Sequence, residues 1–480
     1  MRPLLVLCPW VLVAALIPAF ALPGLSAAAD LALAPALSQD EAASLAQTLG
    51  DAQRQGLASP AAGLASRFAD TPDPILREAA VQLMVRDAIA FARSQRGNLP
   101  DPTAIDRGLA LKVPYDAEAD FESARQAGRV ADWAAGQLRT DAAFLGLVAA
   151  RDHYAQIVAA GGWDAVEAGP APEPDAMDAR LPALRQRLAL EGYATAVAAD
   201  ETVFDASLAA ALSAFQAHHG LPADGRLTEA TIAALNVPAE TRLATLDANL
   251  ERARWLPIRL PATRIEVDIA DPTAVLFQGD APTLSMHAIV GDLKHHTPTF
   301  ASEVQAVVVN PPWVVPTEIA ARELYPHERR SPGYLARSGF RVVGGQLVQT
   351  PGPKAALGYL KFDMPDPFQV YLHDTPARTL FAQQRRWLSH GCVRLEAPRD
   401  LAAALLSAQG WDRAQVDAAI AGGRTFRVGL AAPIAVFVVY RTAVADAAGQ
   451  VTFRPDIYGW DAKITAALRR LQPTDLDQGG

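Results

Sequence analysis

Residues 371–394 read YLHDTPARTLFAQQRRWLSHGCVR, with fifteen residues between His373 and Ser389-His390-Gly391-Cys392-Val393-Arg394. The chain has two cysteines, and the other, Cys8, lies in an N-terminal apolar run expected to be removed. Cys392 is then the one thiol of the mature protein. A cysteine beside a histidine has a plain chemical use: the imidazole accepts the thiol proton, and the thiolate attacks a carbonyl to form an acyl-enzyme. His373 ends an apolar, strand-like run, Phe368 to Leu372, which would hold its ring on a rigid element. Gly391 lets the backbone approach a substrate closely beside Cys392. N–H groups in the turn before a helix-like stretch, Pro398 to Gln409, are expected to receive an oxyanion. The competing account is a buried, inert cysteine with His373 and His390 as core histidines, the usual fate of an isolated free Cys.

The surrounding texture is β-rich. Short runs recur at 264–269, 273–278, 284–290, 304–310, 340–343, 368–373, 434–440 and 451–454, punctuated by Pro, Gly and Asp. This spacing predicts a mixed, largely β domain with few helices, a sandwich or barrel. Pro311 to Leu335 breaks the pattern with two short helical pieces separated by Pro326, an insertion placed to act as a lid. His327-Glu328 is not a zinc motif, because no HExxH pattern surrounds it.

Further upstream the signals turn helical. Residues 30 to about 70 are Ala-rich and read as a loosely ordered lead-in. Apolar residues recur at helical spacing from Pro74 to Arg96 behind an N-cap at Asp73. Further helices are predicted at Ala117–Gln126, Val130–Leu138 and Asp141–Ala160, the last ending at Gly161-Gly162. A Pro-rich linker, Gly169 to Pro174, leads to a small helical unit over Leu181–Val237, in which Thr228 caps the last helix. His218 and His219 stand without a further ligand nearby and are expected at the surface.

At 480 residues the chain holds two or three domains, and a formal net charge of -9 without a basic, aromatic-interleaved run excludes a nucleic-acid binder. Arg2, the apolar run Leu4–Leu22 and the small residues Ser26 to Ala29 predict a secretory signal over 1–29 cleaved near Ala29. Pro9, Pro18 and Pro23 argue against an uncleaved anchor, so membrane contact is expected only through that segment if it is retained. A lone free thiol in an exported protein points to reactivity.

His373, fifteen intervening residues and Ser389-His390-Gly391-Cys392 resemble the signature of the L,D-transpeptidase (YkuD-type) catalytic domain. Val290-Gly291 with Thr297-Pro298-Thr299-Phe300 resembles the opening of that domain. Asn310-Pro311-Pro312-Trp313 with Pro332-Gly333-Tyr334-Leu335 resembles the capping subdomain of its YcbB-like branch. Asp456-Ile457-Tyr458-Gly459 resembles the C-terminal segment, and Gly161-Gly162-Trp163 the helical scaffold, of that branch. Phe215-Gln216, Gly220-Leu221, Asp224-Gly225 and Thr231 resemble a three-helix peptidoglycan-binding domain, with Leu227 where a Gly is usual.

The resemblance implies a multidomain α+β protein. Its parts are a signal peptide (1–29), an all-helical scaffold (30–168), a peptidoglycan-binding domain (181–238) and a mainly β catalytic domain (264–465) with a helical capping insertion (311–340). It implies an exported, periplasmic cysteine acyltransferase of cell wall biogenesis and cell shape, a carbapenem target that forms 3→3 cross-links on tetrapeptide stems. No metal or organic cofactor is implied, and the partners are stem peptides and glycan. Carried over residue by residue, Cys392 is the nucleophile, His373 the general base and acid, and Asp374 the residue whose backbone carbonyl orients His373. Gly391 contributes the oxyanion backbone; Ser389, His390, Arg394, Trp313 and Tyr334 contact substrate. Arg394 fits either a substrate carboxylate or a structural ion pair. The usual Asn of the first strand is Asp268. Water or a protein amine as acceptor would give an L,D-carboxypeptidase, an amidase or a protein-anchoring enzyme. A non-catalytic wall-binding scaffold is the alternative of a different class, and the paired His373 and Cys392 argue against it.

Overall fold

The computed structural model describes residues 37–53, 73–193, 196, 198–279, 281–365 and 367–471; the expected signal segment lies outside them. No helix of the described residues is long and apolar enough to cross a membrane.

Fourteen strands follow in chain order: β1 (Thr263–Asp268), β2 (Thr273–Gln278), β3 (Ala281–Gly291), β4 (Phe300–Val309), β5 (Trp313–Val314), β6 (Phe340–Val343), β7 (Gln346–Gln349), β8 (Leu360–Asp363), β9 (Leu372–His373), β10 (Trp387–Ser389), β11 (Val393–Leu395), β12 (Phe426–Val439), β13 (Ala443–Ala445) and β14 (Val451–Phe453). Nine form one sheet in the order β10-β3-β11-β9-β8-β4-β12-β1-β2, and β2 pairs back onto β3. The sheet therefore closes as a barrel, with β10 alongside β3. Inward residues such as Val267, Leu276, Val290, Val307, Phe362, Leu372, Val393 and Val438 fill a single core with Trp460 of the C-terminal helix. Alternation of apolar and polar positions along each strand builds that core. Asp268 is buried in β1, where its carboxylate accepts from Arg454 at 2.6 Å and from the Ala270 N–H. Burial raises its pKa against the pull of that arginine.

The N-terminal part is helical, as its periodicity predicts. Asp73, Asp116 and Asp141 cap helices Pro74–Ser94, Ala117–Gln126 and Ala142–Ala159 through their side chains. The stretch read as a loose lead-in contains a helix, Gln39–Gln53, that packs Leu45 and Leu49 against Met84 and Phe91. Helices Leu181–Leu190, Ala206–His218 and Glu229–Leu235 form the small three-helix unit around Leu184, Leu212 and Phe215. That unit packs on the separate two-stranded β13–β14 hairpin through His219 on Phe453 and a Gln450 to Tyr193 hydrogen bond. Contrary to the surface expectation, the His219 side chain is only 2% exposed. Its ring stacks on Phe215 at 3.8 Å and on Phe453 at 5.5 Å. His218 is half-buried and meets the Tyr193 hydroxyl.

The long Ala239–Trp255 helix joins scaffold to barrel. Arg252 on it pairs with Asp461 at 2.6 Å and also donates to Thr442, while Asn249 donates to the same hydroxyl.

Between β4 and β8 the chain leaves the barrel. The expected break at Pro326 is absent: Thr317–Ile319, a π-turn Ala320–Leu324 and Tyr325–Arg330 run on as one helical course. The wider turn just ahead of Pro326 accommodates a ring that would clash in an unbroken α-helix. Strands β5, β7 and β6 form a small sheet beneath, so the excursion runs past residue 340 to Gln349. Glu328 accepts from the Gly333 and Leu335 N–H groups.

Candidate active site

Strands β9 and β11 lie side by side and parallel, with Leu372 opposite Val393 and His373 opposite Arg394. Alternate residues of a strand share a face. Tyr371 with His373, and Cys392 with Arg394, accordingly line one cleft of about 550 Å³. Trp313, Glu318, Arg322 and Glu323 of the insertion form its other wall.

Cys392 is half-buried, with Sγ 3.8 Å from the backbone oxygen of Gln369. Gln369 sits at φ 58°, a left-handed conformation that non-glycine residues adopt only at a cost. That kink turns its carbonyl toward the thiol and ends strand geometry, so the expected run 368–373 is a strand only at Leu372 and His373.

His373 is 4% exposed, and its Nδ1 lies 2.5 Å from the Asp374 backbone oxygen. Nδ1–H donating there leaves Nε2 as the free base. Burial, then the positive charge of Arg394, push the imidazole pKa down to about 3; Lys361 adds to this and the Asp374 carbonyl opposes it. The ring is neutral at physiological pH. Among the described residues no carboxylate lies within ion-pairing distance of Arg394. Burial lowers its pKa, and the charge of Cys392 pulls the other way. Arg394 lines the cleft and pairs with neither of its carboxylates, Glu318, which pairs with Arg322, and Glu323, which meets His390.

Sequence reasoning passed over Tyr371. It lines the cleft together with Cys392 and Trp313, and burial, then the charge of the neighbouring Cys392, raises its pKa. The period-two offset from His373 is the signal that finds it. Its ring meets the His373 ring edge-on at 5.6 Å.

The turn from Ser389 to Cys392 spends its polar groups on itself. Ser389 Oγ donates to the Cys392 carbonyl at 2.6 Å and accepts the Gly391 N–H at 3.1 Å. The Gly391 carbonyl accepts from Thr297 Oγ1 at 2.7 Å. Gly391 holds φ 110°, which only glycine adopts readily. Its N–H is directed at Ser389 Oγ, and its conformation shapes the turn. The serine hydroxyl is likewise engaged within the turn, although Ser389 lines the cleft. Ala397 and Pro398 line a separate cavity behind the strands, so the turn before the Pro398–Leu406 helix does not face Cys392.

His390 is exposed and bonds outward: Nε2 lies 2.7 Å from Glu323 Oε1 on the insertion, and its ring sits 4.7 Å from that of His295. Trp313 lines the cleft. Tyr334 does not line it; its ring packs on His327 at 4.9 Å within the insertion. Among the described residues no group of three or more His, Cys, Asp or Glu is arranged to hold a metal ion.

Residues 262–417 match the family model for the YkuD "L,D-transpeptidase catalytic domain". Residues 178–235 match the model described as "Putative peptidoglycan binding domain". The chain therefore carries a YkuD L,D-transpeptidase catalytic domain together with a peptidoglycan-binding domain. A Haemophilus influenzae protein described as "Putative L,D-transpeptidase" is 33% identical over 204 residues, covering 38% of this chain. The chain spans 42% of that relative's length. Among solved structures, the Ldtfm-avibactam carbamoyl enzyme aligns at 14% identity over 38% of this chain and 50% of its own, with a TM-score of 0.20. The L,D-transpeptidase of Xylanimonas cellulosilytica aligns at 15% identity over 57% of this chain and 98% of its own, with a TM-score of 0.17.

Proposed function

We propose that this protein is an exported L,D-transpeptidase of the YcbB-like branch that joins peptidoglycan stem peptides through a Cys392 acyl-enzyme. The observation that carries this proposal is the single cleft lined by Cys392, a neutral His373 and an Arg394 that makes no ion pair among the described residues. The insertion between β4 and β8 and the helical scaffold support the branch.

In the proposed reaction a tetrapeptide stem enters with a carboxylate on Arg394. His373 Nε2 takes the thiol proton as Sγ attacks the carbonyl of the third residue. Because the imidazole binds protons weakly, transfer accompanies attack and does not precede it as a stable ion pair. The tetrahedral intermediate collapses with cleavage of the peptide bond, and His373 returns the proton to the departing D-Ala amine. The side-chain amine of a second stem then attacks the thioester and gives its proton to His373. Cys392 leaves as a thiolate and is reprotonated, and a 3→3 cross-link remains. Tyr371 donates to Sγ in its anionic form and lowers the cost of that charge.

Incubation with disaccharide-tetrapeptide and mass spectrometry of the products tests this. A dimer lacking one D-Ala is the expected product. Tripeptide monomer alone would assign the acyl-enzyme to water and make the protein an L,D-carboxypeptidase. Absence of any change would leave a wall-binding scaffold.

A further inference from the structure

We propose that Arg378 is a positioning residue that braces the His373 turn against the strand end following Cys392, and so keeps imidazole and thiol in register. This rests on the acyl-transfer function above and adds a residue to it.

The brace starts from the carbonyl that orients His373. Asp374 presents that carbonyl to Nδ1, and its own N–H is bonded to the Leu360 carbonyl at 2.8 Å. Its carboxylate is 1% exposed and points the other way, accepting the Tyr359 N–H at 2.8 Å and the Thr375 N–H at 2.7 Å. Gly358 makes room for it: a Cβ there would stand 2.5 Å from Asp374 Oδ2. The remaining partner is Arg378, whose Nη2 donates to Oδ1. A buried carboxylate that loses its cation is costly to keep in place.

The same guanidinium reaches across. Nη1 donates to the Glu396 carbonyl at 2.5 Å and lies 3.5 Å from that of Leu395, at the end of β11. One planar fork therefore ties the turn that carries His373 to the strand that follows Cys392 and carries Arg394. Arg378 lines the cavity behind the strands and not the cleft in front of them, so it meets no substrate. Its side chain is 42% exposed, so it contributes little as core packing.

The test uses the full chain with Arg378→Met and Arg378→Lys. Single-turnover acylation by disaccharide-tetrapeptide is measured, with the reactive fraction of Cys392 counted by intact mass. Per-site kcat is expected to fall roughly ten- to hundred-fold in Arg378→Met at a KM within about two-fold, as a sub-ångström misplacement of the base would produce. Arg378→Lys should fall between, since an ammonium can satisfy Asp374 or the Glu396 carbonyl but cannot span both as a fork. It also carries the test if the methionine variant unfolds. The downfield Nδ1–H proton of His373 should shift or broaden in step. Unchanged per-site rates and an unchanged proton signal in both variants would overturn the brace, as would a loss confined to the reactive fraction. If the parent protein forms no acyl-enzyme, the proposed function fails, while the Nδ1–H signal still decides whether Arg378 orients the ring.

Discussion

The two walls of the cleft are built on opposite principles. On the barrel side His373, Asp374 and Ser389 are buried, and their polar groups other than His373 Nε2 meet fixed partners. The insertion has a small core of Val315, Ala320, Phe340 and Leu347, and it leaves Val314, Val342 and Val343 exposed. The signature turn meets it through His390 and Glu323, side chains 37% and 46% exposed. Local opening is costly where burial and hydrogen bonds are dense and cheap where they are sparse. In the proposed function the bond-making groups thus sit on the wall with the denser burial and bonding, and the sparser wall is assigned to admitting substrate.

Substitutions that separate the two walls should differ in kind as well as size. The largest effect belongs to the barrel side: His373→Gln is expected to lower per-site acylation roughly 10²–10⁴-fold, read as kcat with substrate affinity retained. That variant also has a pH signature. In the folded protein the imidazole pKa is about 3 against an ordinary 6.5, so between those values the unfolded chain binds the extra proton. Stability is therefore lost as pH falls from about 6.5 toward 3, and His373→Gln should flatten that decline in Tm measured across the window.

Arg394→Met comes next, with an expected loss of roughly ten- to hundred-fold in kcat/KM, mostly in KM, because a charge-assisted contact to the substrate carboxylate is removed. An Arg394→Met enzyme with unchanged KM would return this residue to a structural role. Tyr371→Phe should cost about three- to ten-fold in kcat, the worth of one hydrogen bond to the thiolate. Glu323→Gln should have the smallest effect, a few-fold rise in KM with kcat kept, since an exposed side-chain contact such as His390–Glu323 contributes about 0–1 kcal/mol. A larger kcat loss in Glu323→Gln than in Tyr371→Phe would break the contrast between the walls.

What the sequence shows and what it hides divide along the range of the contacts. Strand β2 matches its predicted span, and the caps at Asp73 and Thr228 are where the local pattern puts them, because such features depend on neighbours in the chain. The Gln39–Gln53 helix was also legible: Ala42, Leu45, Leu49 and Ala52 are spaced three, four and three apart. Abundant alanine, the best helix former, was misread as looseness. Cys392, His373 and Trp313 were named from local motifs, and the structure brings the three to one cleft.

Contacts set by distant residues were not readable. Burial of His219 depends on Phe453, the tie on His390 comes from Glu323, and Arg378 reaches Glu396. Tyr334 was named from its motif, yet its surroundings direct it to His327. The kink at Gln369 is a backbone conformation that its residue type does not announce.

The central claim, that Cys392 is the acylated nucleophile, is tested most directly by quenching the protein with disaccharide-tetrapeptide in acid and mapping the adduct by peptide mass spectrometry. The account predicts a disaccharide-tripeptide thioester on the peptide containing Cys392, absent in Cys392→Ala and labile to hydroxylamine. Cross-linked product formed without that adduct, or formed equally by Cys392→Ala, would contradict it.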